Sequence, residues 1–425
     1  MVVIGGIIGS GIFINPYIVA RTLDSSMLVL AAWIAGGAIA LAGAFAYAEL
    51  GALFPKAGGQ YVYLRDGLHP LAGFLYGWGL LLVIESGAMA AVATTFASYA
   101  LRLVGRPDAA PAPLAVAAIL SLSLVNYFGV KPGSRLLNVL VVLKVAALGV
   151  LIAAGALAPA FAGWFSASRA AAPDAPSTLL AFGAALVPIL FAYGGWQSAN
   201  YLAEEIQDPH RNLPRSLVAG TLIVVVVYVF VNAVYLRSLG LEGLASTPTP
   251  ASRAAAIMFG SLGDRFVTAA ITISTFGFLD LGVLAPTRVY YAMAADGAFL
   301  RSLARLHPRY RSPWVAIAIQ AIWSCALALT GRYEQLLNYV VFADWIFFGS
   351  TVATLFVFRR VLPLEGRSAG AFRCVGYPVV PLAFVVAAAA VVLSVVRADP
   401  VSASRGALLL AAGIPVFFWF KRRAA

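Results

Sequence analysis

Long apolar runs separated by short polar loops make up most of the chain. A transmembrane helix needs about 20 predominantly apolar residues, and twelve runs have roughly that length or more. They lie near residues 2–22, 27–53, 71–103, 113–130, 135–157, 178–203, 215–237, 265–292, 313–330, 336–358, 378–396 and 406–420. The runs do not alternate apolar and polar residues as transmembrane β-strands do. Because a helix satisfies its own backbone hydrogen bonds in lipid, the pattern predicts an all-α polytopic membrane protein with twelve transmembrane helices.

Composition supports a lipid environment and excludes several classes of protein. Hydrophobic residues make up 62% of the 425 residues and charged residues only 11%, whereas soluble domains carry about 25% charged residues. A soluble enzyme, a nucleic-acid binder and a disordered chain are therefore excluded. The two cysteines and three histidines show no metal-ligand spacing. We expect neither a metal site nor a cofactor.

The distribution of basic residues predicts the orientation. An even number of spans places both termini on one side, and the loops of that side carry the larger share of Lys and Arg. The loop at 301–311 alone contains Arg301, Arg305, Arg309 and Arg311. Short loops rich in Lys and Arg stay in the cytoplasm, so we expect both termini to be cytoplasmic in a plasma or inner membrane. The net charge of +12 is then a topology signal and not a nucleic-acid patch.

Two of the apolar runs contain glycine clusters that weaken a helix. Residues 5–13 read GGIIGSGIF, and residues 191–196 of the sixth run read FAYGGW. Each glycine costs about 1 kcal/mol relative to alanine inside a helix. The two clusters lie five spans apart, and such paired interruptions are typical of transporters built from inverted repeats. Both clusters therefore predict broken helices near the middle of the membrane.

A broken helix exposes backbone groups that fit the two ends of a zwitterion. The N–H groups at the start of one half-helix attract a carboxylate, and the carbonyl groups at the end of the other attract an ammonium group. Close helix packing is the alternative role of such glycines. A dinucleotide-binding loop is disfavoured because the order is GxxGxG and no βαβ unit surrounds it.

Several sequence blocks in order resemble the amino acid–polyamine–organocation superfamily, in particular its L-type amino acid transporter (light-chain) branch. The blocks are IIGSGIF at 7–13, AYAELG at 46–51, FPKAGGQY at 54–61, FAYGGW at 191–196 and NLPR at 212–215. The resemblance implies a LeuT-type fold of two inverted five-helix repeats and two further helices. Residues 1–157 would hold helices 1–5, residues 178–361 helices 6–10, and residues 378–423 helices 11–12 with a basic cytoplasmic tail.

The resemblance also implies a substrate site at the two breaks. The substrate carboxylate would meet N–H groups of Gly9, Ser10 and Gly11, and its amino group would meet carbonyls of Ile7, Phe191 and Gly194. Phe191 matches the aromatic residue that covers bound substrate from outside. Gln197 is expected to face the side-chain pocket or the helix junction.

Lys144 lies in an otherwise apolar fifth span, too deep to reach the membrane surface easily. An ammonium group at such a depth costs about 3 kcal/mol. In the resembling family, a lysine here fills the site that sodium occupies in sodium-coupled relatives. The resemblance implies that Lys144 replaces the cation and braces the broken first helix against the eighth. Structural pairing alone is the alternative.

Four acidic residues lie within the spans: Glu49, Glu85, Asp280 and Asp344. Glu49 belongs to the second-helix block and is expected to be structural. The other three depart from the family pattern, and buried acids in membranes are functional candidates by default. They are possible proton or cation sites, which would give proton coupling or a preference for cationic side chains. The alternative is that each is neutral or paired, for example with Arg288.

Two features concern partners and the start of the chain. The loop between the third and fourth spans, Val104 to Pro111, contains no cysteine, whereas eukaryotic light chains use one there to join a heavy chain. We expect no disulfide-linked heavy chain. Only eight residues precede Gly9, which is short for half of the bilayer. Either the true start lies upstream or the inner half-helix is abbreviated.

The leading hypothesis is a secondary active transporter that moves an α-amino acid by alternating access. It would work by sodium-independent exchange or by proton-linked transport. Ala88 and Val92 predict a small apolar pocket and so a neutral substrate. The alternative is an amine, polyamine or cationic amino acid permease of the same fold. A channel lacks its polar-lined pore, and an enzyme lacks a nucleophile–base pair, so neither is expected.

Overall fold

The computed structural model describes residues 1–157, 164–169, 177–330, 333–362 and 372–424, and these are almost entirely helical. The only extended pairing among them is an isolated bridge between Ser25 and Ser168. The first nine helices are α1 (Val2–Ile7), α2 (Gly11–Thr22), α3 (Ser26–Leu53), α4 (Gln60–Gly67), α5 (Pro70–Gly79), α6 (Glu85–Leu103), α7 (Pro111–Tyr127), α8 (Val130–Leu157) and α9 (Thr178–Tyr193). The others are α10 (Ser198–Tyr201), α11 (Pro209–Ser246), α12 (Pro250–Leu284), α13 (Pro286–Ala295), α14 (Trp314–Thr330), α15 (Tyr333–Val361), α16 (Val379–Ala398), α17 (Pro400–Ala411) and α18 (Gly413–Ala424).

Within these ranges, nine helical stretches are long and apolar enough to cross a membrane. They are Ser26–Leu53, Pro70–Leu103, Val130–Leu157, Thr178–Tyr201, Pro209–Ser246, Pro250–Ala295, Val340–Val361, Val379–Ala398 and Pro400–Arg422. Two shorter apolar helices, α7 and α14, accompany them. Large apolar side chains such as Val139 and Leu143 of α8 are exposed, as lipid-facing residues must be. The prediction of an all-helical polytopic membrane protein is therefore confirmed.

Several spans are longer or more segmented than their apolar runs predict. Gly240 (φ 69°) interrupts α11 and Gly260 (φ 64°) interrupts α12, both in the left-handed region that favours glycine. Pro286 separates α12 from α13, since proline cannot donate the hydrogen bond that would continue the helix. Hydropathy detects the apolar centre of a span and not these polar or kinked ends.

An aromatic core holds the second broken helix in place. Trp33 of α3 packs edge-on against Tyr193 of α9 and Tyr228 of α11, and the Tyr193 hydroxyl donates to the Trp33 carbonyl at 3.1 Å. Trp196, just after α9, packs edge-on against Tyr47 and stacks on Phe348. Edge-to-face aromatic pairs add about 0.5–1.5 kcal/mol each beyond their buried area. The interruption after Tyr193 is thus anchored on both sides.

Charged residues near the ends of the spans link distant parts of the chain. The Glu49 carboxylate of α3 accepts two hydrogen bonds from the guanidinium group of Arg359 in α15, at 2.9 and 2.5 Å. It also accepts one from the backbone N–H of Cys374 at 2.7 Å. Arg288 of α13 donates to Glu205 at 3.1 Å. These bonds support the expected structural role of Glu49. Arg288 is also paired, but its partner is Glu205 and not an acid within a span.

Candidate functional site

The first interruption lies between α1 and α2, at Ile8–Ser10. Ile8 has φ −77° and ψ 88°, which is the conformation of an inverse γ-turn. The N–H groups of Ser10, Gly11 and Ile12 have no hydrogen-bond acceptor among the described residues. Ser10 is 1% exposed, and its hydroxyl also has no hydrogen-bond partner among the described residues. The start of α2 therefore presents free donors, where a helix end favours negative charge.

The second interruption spans Gly194–Gln197, between α9 and α10. Gly195 has φ +104°, and its N–H donates to the side-chain Oε1 of Gln197 at 2.9 Å. The carbonyl of Gly194 has no donor among the described residues. The end of α9 thus offers an acceptor, and Gln197 caps the junction while also lining the adjoining cavity.

The two interruptions touch each other through glycine backbones. A methyl group built on Gly6 would overlap the carbonyl of Gly195, and one built on Gly195 would overlap the carbonyl of Gly6. Gly11 approaches the backbone of Ala192 in the same way. Further along, Asn15 donates to the Pro188 carbonyl at 2.6 Å. Only glycine lets the two broken helices come this close, so the packing role and the unwinding role of these glycines coexist.

Lys144 of α8 bonds the backbone of the first interruption. Its Nζ donates to the Gly5 carbonyl at 2.9 Å and to the Ile8 carbonyl at 2.5 Å. Ser274 of α12 lies 3.4 Å from the same Ile8 carbonyl. Lys144 is 1% exposed and does not line the cavity between the breaks. The side chain therefore neutralises the carbonyl end of α1 and joins it to α8 next to α12.

Some groups assigned to the substrate by resemblance have partners within the protein. The Gly9 N–H donates to the Ile7 carbonyl at 2.9 Å. The N–H group predicted to bind the substrate carboxylate and the carbonyl predicted to bind the substrate amino group are therefore bonded to each other. The Tyr228 hydroxyl also donates to that carbonyl at 3.0 Å, and the Gly194 N–H donates to the Phe191 carbonyl at 3.1 Å. The tight turns at each break produce these pairs, which leave Ser10, Gly11 and Gly194 as the open contacts.

A cavity with about 740 Å³ of empty space, partly open to solvent, adjoins both interruptions. All seven predicted substrate-binding residues line it, as do the predicted Ala88 and Val92. The lining from the two breaks comprises Gly6, Ile7, Gly9, Ser10, Gly11, Leu190, Phe191, Ala192, Gly194, Gly195, Gln197 and Ser198. The facing walls contribute Ile84, Glu85, Ala88, Val92, Phe278, Leu281, Gly282, Val340, Val341, Asp344 and Trp345.

The three candidate acids fall into two different places. Glu85 of α6 and Asp344 of α15 both line the cavity. Asp280 of α12 does not: its Oδ1 accepts a hydrogen bond from Asn126 Nδ2 of α7 at 2.7 Å, and the residue is fully buried. The sequence offered no basis for separating them, because each acid sits in an equally apolar span.

Three residues of the site had no recognisable signal in the sequence. Phe278 packs directly over Gly9, while Tyr228 and Ser274 bond the carbonyls of the first interruption. They come from within α11 and α12, where one aromatic or hydroxyl side chain among many does not stand out. No group of three or more potential metal ligands is present in the part of the chain that the structure describes.

Comparison with known proteins identifies the family. A family model described as amino acid permease matches residues 1–418. The chain is 32% identical to the serine/threonine exchanger SteT of Bacillus subtilis (strain 168), over all of this chain and 95% of that protein. It is 32% identical to the human large neutral amino acids transporter small subunit 2, over 98% of this chain and 78% of that protein. It is 30% identical to the human Asc-type amino acid transporter 1, with 98% and 80% covered.

These likenesses run nearly from end to end and agree with the helical membrane fold and with a cavity at two broken helices. The relatives are transporters and exchangers of amino acids, and none is an enzyme. The chain therefore belongs to the amino acid permease family of the amino acid–polyamine–organocation superfamily, and it is an integral membrane transporter of amino acids and not an enzyme.

Proposed function

We propose that the protein exchanges small neutral α-amino acids across the membrane, independently of sodium, and binds them between the two broken helices. The carboxylate lies at the free N–H groups of Ser10 and Gly11, and the α-ammonium group lies near the carbonyl of Gly194. One observation carries the proposal: free donors and a free acceptor from different helix ends line one cavity. A zwitterion is the ligand that satisfies both.

The arrangement of helices belongs to the same proposal. Residues 1–157 and 178–361 form two inverted five-helix repeats, and residues 378–423 add two peripheral helices and a basic tail. The interruptions at α1/α2 and α9/α10 support this division because they fall at matching places five spans apart. Rocking of one repeat against the other would open the cavity to each side in turn. The basic loops support an orientation with both termini in the cytoplasm, and we assign the protein to a plasma or inner membrane.

The substrate class rests on the walls of the cavity and on the relatives. Ala88 and Val92 present small apolar side chains, which suit a short side chain. A serine/threonine exchanger is among the similar proteins. Serine, threonine and alanine are therefore the first substrates to test. The cysteine-free loop from Val104 to Pro111 supports function without a disulfide-linked heavy chain.

Sodium independence rests on Lys144. In place of a metal ion, its ammonium group bonds the two carbonyls at the end of α1. A sodium ion at the same carbonyls would have to displace a buried, doubly bonded cation. The charge that sodium would supply is thus already built into the chain.

Reconstitution of the purified full chain into liposomes tests the proposal. Radiolabelled serine uptake is measured with and without internal serine, and with external sodium replaced by choline. We expect accumulation to require internal amino acid and to be unchanged by choline. Strict dependence on sodium would overturn the role of Lys144. Failure of every amino acid tested to accumulate or to compete would overturn the proposed function itself.

A further inference from the structure

Glu85 and Asp344 form an acidic wall across the cavity from the two broken helices. Both side chains line the same cavity. Glu85 Oε1 packs against Gly282 of α12, and Asp344 Oδ1 has no hydrogen-bond partner among the described residues. A buried carboxylate oxygen left unpaired is costly. The described residues therefore supply no hydrogen-bond partner for this oxygen of the acidic wall.

The helix geometry directs Glu85 to this place. A π-helical segment, Leu80–Ile84, immediately precedes Glu85, and the Ser86 hydroxyl donates to the Leu81 carbonyl five residues earlier at 2.6 Å. A π-helical turn rotates the following residues relative to a regular helix and occurs frequently at functional sites. The third span thus deviates from regular geometry at the residue that brings a carboxyl group into the cavity.

The groups facing the pair provide no positive charge. Tyrosine hydroxyls surround it: Tyr201 of α10 lies near both acids, Tyr290 of α13 near Glu85, and Tyr47 of α3 and Tyr76 of α5 near Asp344. No Lys, Arg or His is among the described residues that line the cavity. Lys144 donates to the carbonyls of Gly5 and Ile8 and does not line the cavity.

We propose that the Glu85–Asp344 pair binds one positive charge together with the substrate, which is a proton when the amino acid is neutral and a side-chain ammonium group when it is cationic. Two carboxylates that face one largely apolar cavity, with no cation among the described residues that line it, do not both remain ionised and unpaired. A short neutral side chain leaves the wall empty, so the wall takes up a proton. A lysine or ornithine side chain reaches the wall and replaces that proton. This inference rests on the proposed function and extends its substrate class.

Opposite pH dependences of the two substrates follow. Serine uptake by the wild type should fall from mildly acidic to mildly alkaline medium because the proton is lost. Inhibition of serine uptake by lysine should strengthen over the same range because the pair is then free for the ammonium group. The ratio of lysine to serine affinity should change by up to about tenfold per pH unit where the pair titrates, because the ammonium group replaces one proton.

Exchange of external serine for internal lysine in liposomes measures directly whether a proton enters with serine. Vesicles are loaded with lysine and a pH-sensitive dye, and serine is added outside. Each serine entering with a proton against one lysine leaving keeps the charges balanced and acidifies the interior. Vesicles loaded with serine should show no acidification. Lysine–serine exchange without acidification would overturn the proposal, and so would wild-type serine uptake that neither depends on pH nor responds to lysine.

Substitutions test whether Glu85 and Asp344 are the residues that bind the proton or the ammonium group. Any serine exchange that the double variant Glu85→Gln/Asp344→Asn retains should no longer depend on pH, and its inhibition by lysine should weaken about tenfold or more. Asp280→Asn, which changes the buried acid outside the cavity, should retain both properties. Loss of both in Asp280→Asn but not in the double variant would overturn the assignment. Because the wild-type profiles already decide the proposal, it stays testable if the double variant does not fold. If serine exchange itself is absent from the wild type, the proposed function fails instead.

Discussion

Gly195 occupies a position that no other residue can take without rearrangement. Its φ of +104° is in the left-handed region, and the Gly6 carbonyl fills the space that a side chain would need. Both constraints exclude a Cβ atom at this position. The sequence shows the glycine but not the reason for it, because the obstructing carbonyl lies on another helix.

We predict that Gly195→Ala separates the two interruptions and abolishes serine exchange. Backbone strain of this kind costs about 1–3 kcal/mol, to which the overlap with Gly6 adds. Exchange in liposomes and the stabilisation of the detergent-solubilised protein by serine measure the effect. Gly183→Ala in the preceding helix α9 is the matched control, since nothing lies within 4 Å of a methyl group there. Normal exchange by Gly195→Ala would contradict the close contact.

Lys144 gives a second prediction at this scale. Lys144→Met keeps the length and removes the ammonium group, which leaves the Gly5 carbonyl without its side-chain donor and the Ile8 carbonyl with only the Ser274 hydroxyl. An orphaned acceptor costs about 1–3 kcal/mol, so the apparent unfolding temperature in detergent should drop and exchange should be lost. Lys131→Met, on the exposed first turn of the same helix, should change neither. Full activity of Lys144→Met would argue for simple burial without a bracing role.

At the scale of elements, the third span is an example of an irregularity that hydropathy does not reveal. Residues 71–103 form one apolar run, yet the structure divides it into α5, the π-helical Leu80–Ile84 and α6. The Ser86 hydroxyl stabilises the division by bonding the Leu81 carbonyl. This geometry decides which face of α6 carries Glu85.

Ser86→Ala is therefore expected to weaken substrate binding although Ser86 is not among the residues that line the cavity. Without the hydroxyl, the Leu81 carbonyl loses its donor at a cost of about 1 kcal/mol, and the π-helical turn competes less well with a regular helix. The apparent affinity for serine should fall severalfold, measured by competition in exchange. Ser98→Ala removes an ordinary bond to the Thr94 carbonyl in the same helix and should leave the affinity unchanged.

For the whole molecule, the link between Glu49 and Arg359 joins parts of the chain 310 residues apart. It also holds the segment that follows, through the N–H of Cys374. The Arg359 guanidinium lies 3.7 Å from the ring centroid of Tyr377. A helix of each proposed repeat and the start of the peripheral helices therefore meet at one carboxylate.

Glu49→Gln should loosen this junction, and Cys374 can report it. Burial, and secondarily the Glu49 carboxylate, raise the pKa of the Cys374 thiol to about 12, so the reactive thiolate is scarce at neutral pH. Removing the negative charge lowers that pKa and frees the segment. In a Cys325→Ser background, where Cys374 is the only thiol, maleimide labelling at fixed pH should be faster in Glu49→Gln. Equal labelling rates would contradict the link.

The sequence alone determined the membrane class, the all-helical character and the places where two helices break. These features are local: apolar residues must cover each span, and clustered glycines destabilise a helix wherever it lies. The resemblance in the ordered blocks then indicated the family that the comparisons confirm. The role of each site residue stays a prediction, as does the five-plus-five arrangement.

Only the tertiary structure decided which polar groups meet. It pairs the Gly9 N–H with the Ile7 carbonyl, aims Lys144 at Gly5 and Ile8, and separates Asp280 from the cavity that Glu85 and Asp344 share. A hydrogen bond depends on the rotation and depth of two helices that are often more than 100 residues apart in the chain. That relation is a property of the packed bundle and is not encoded in any local pattern of residues.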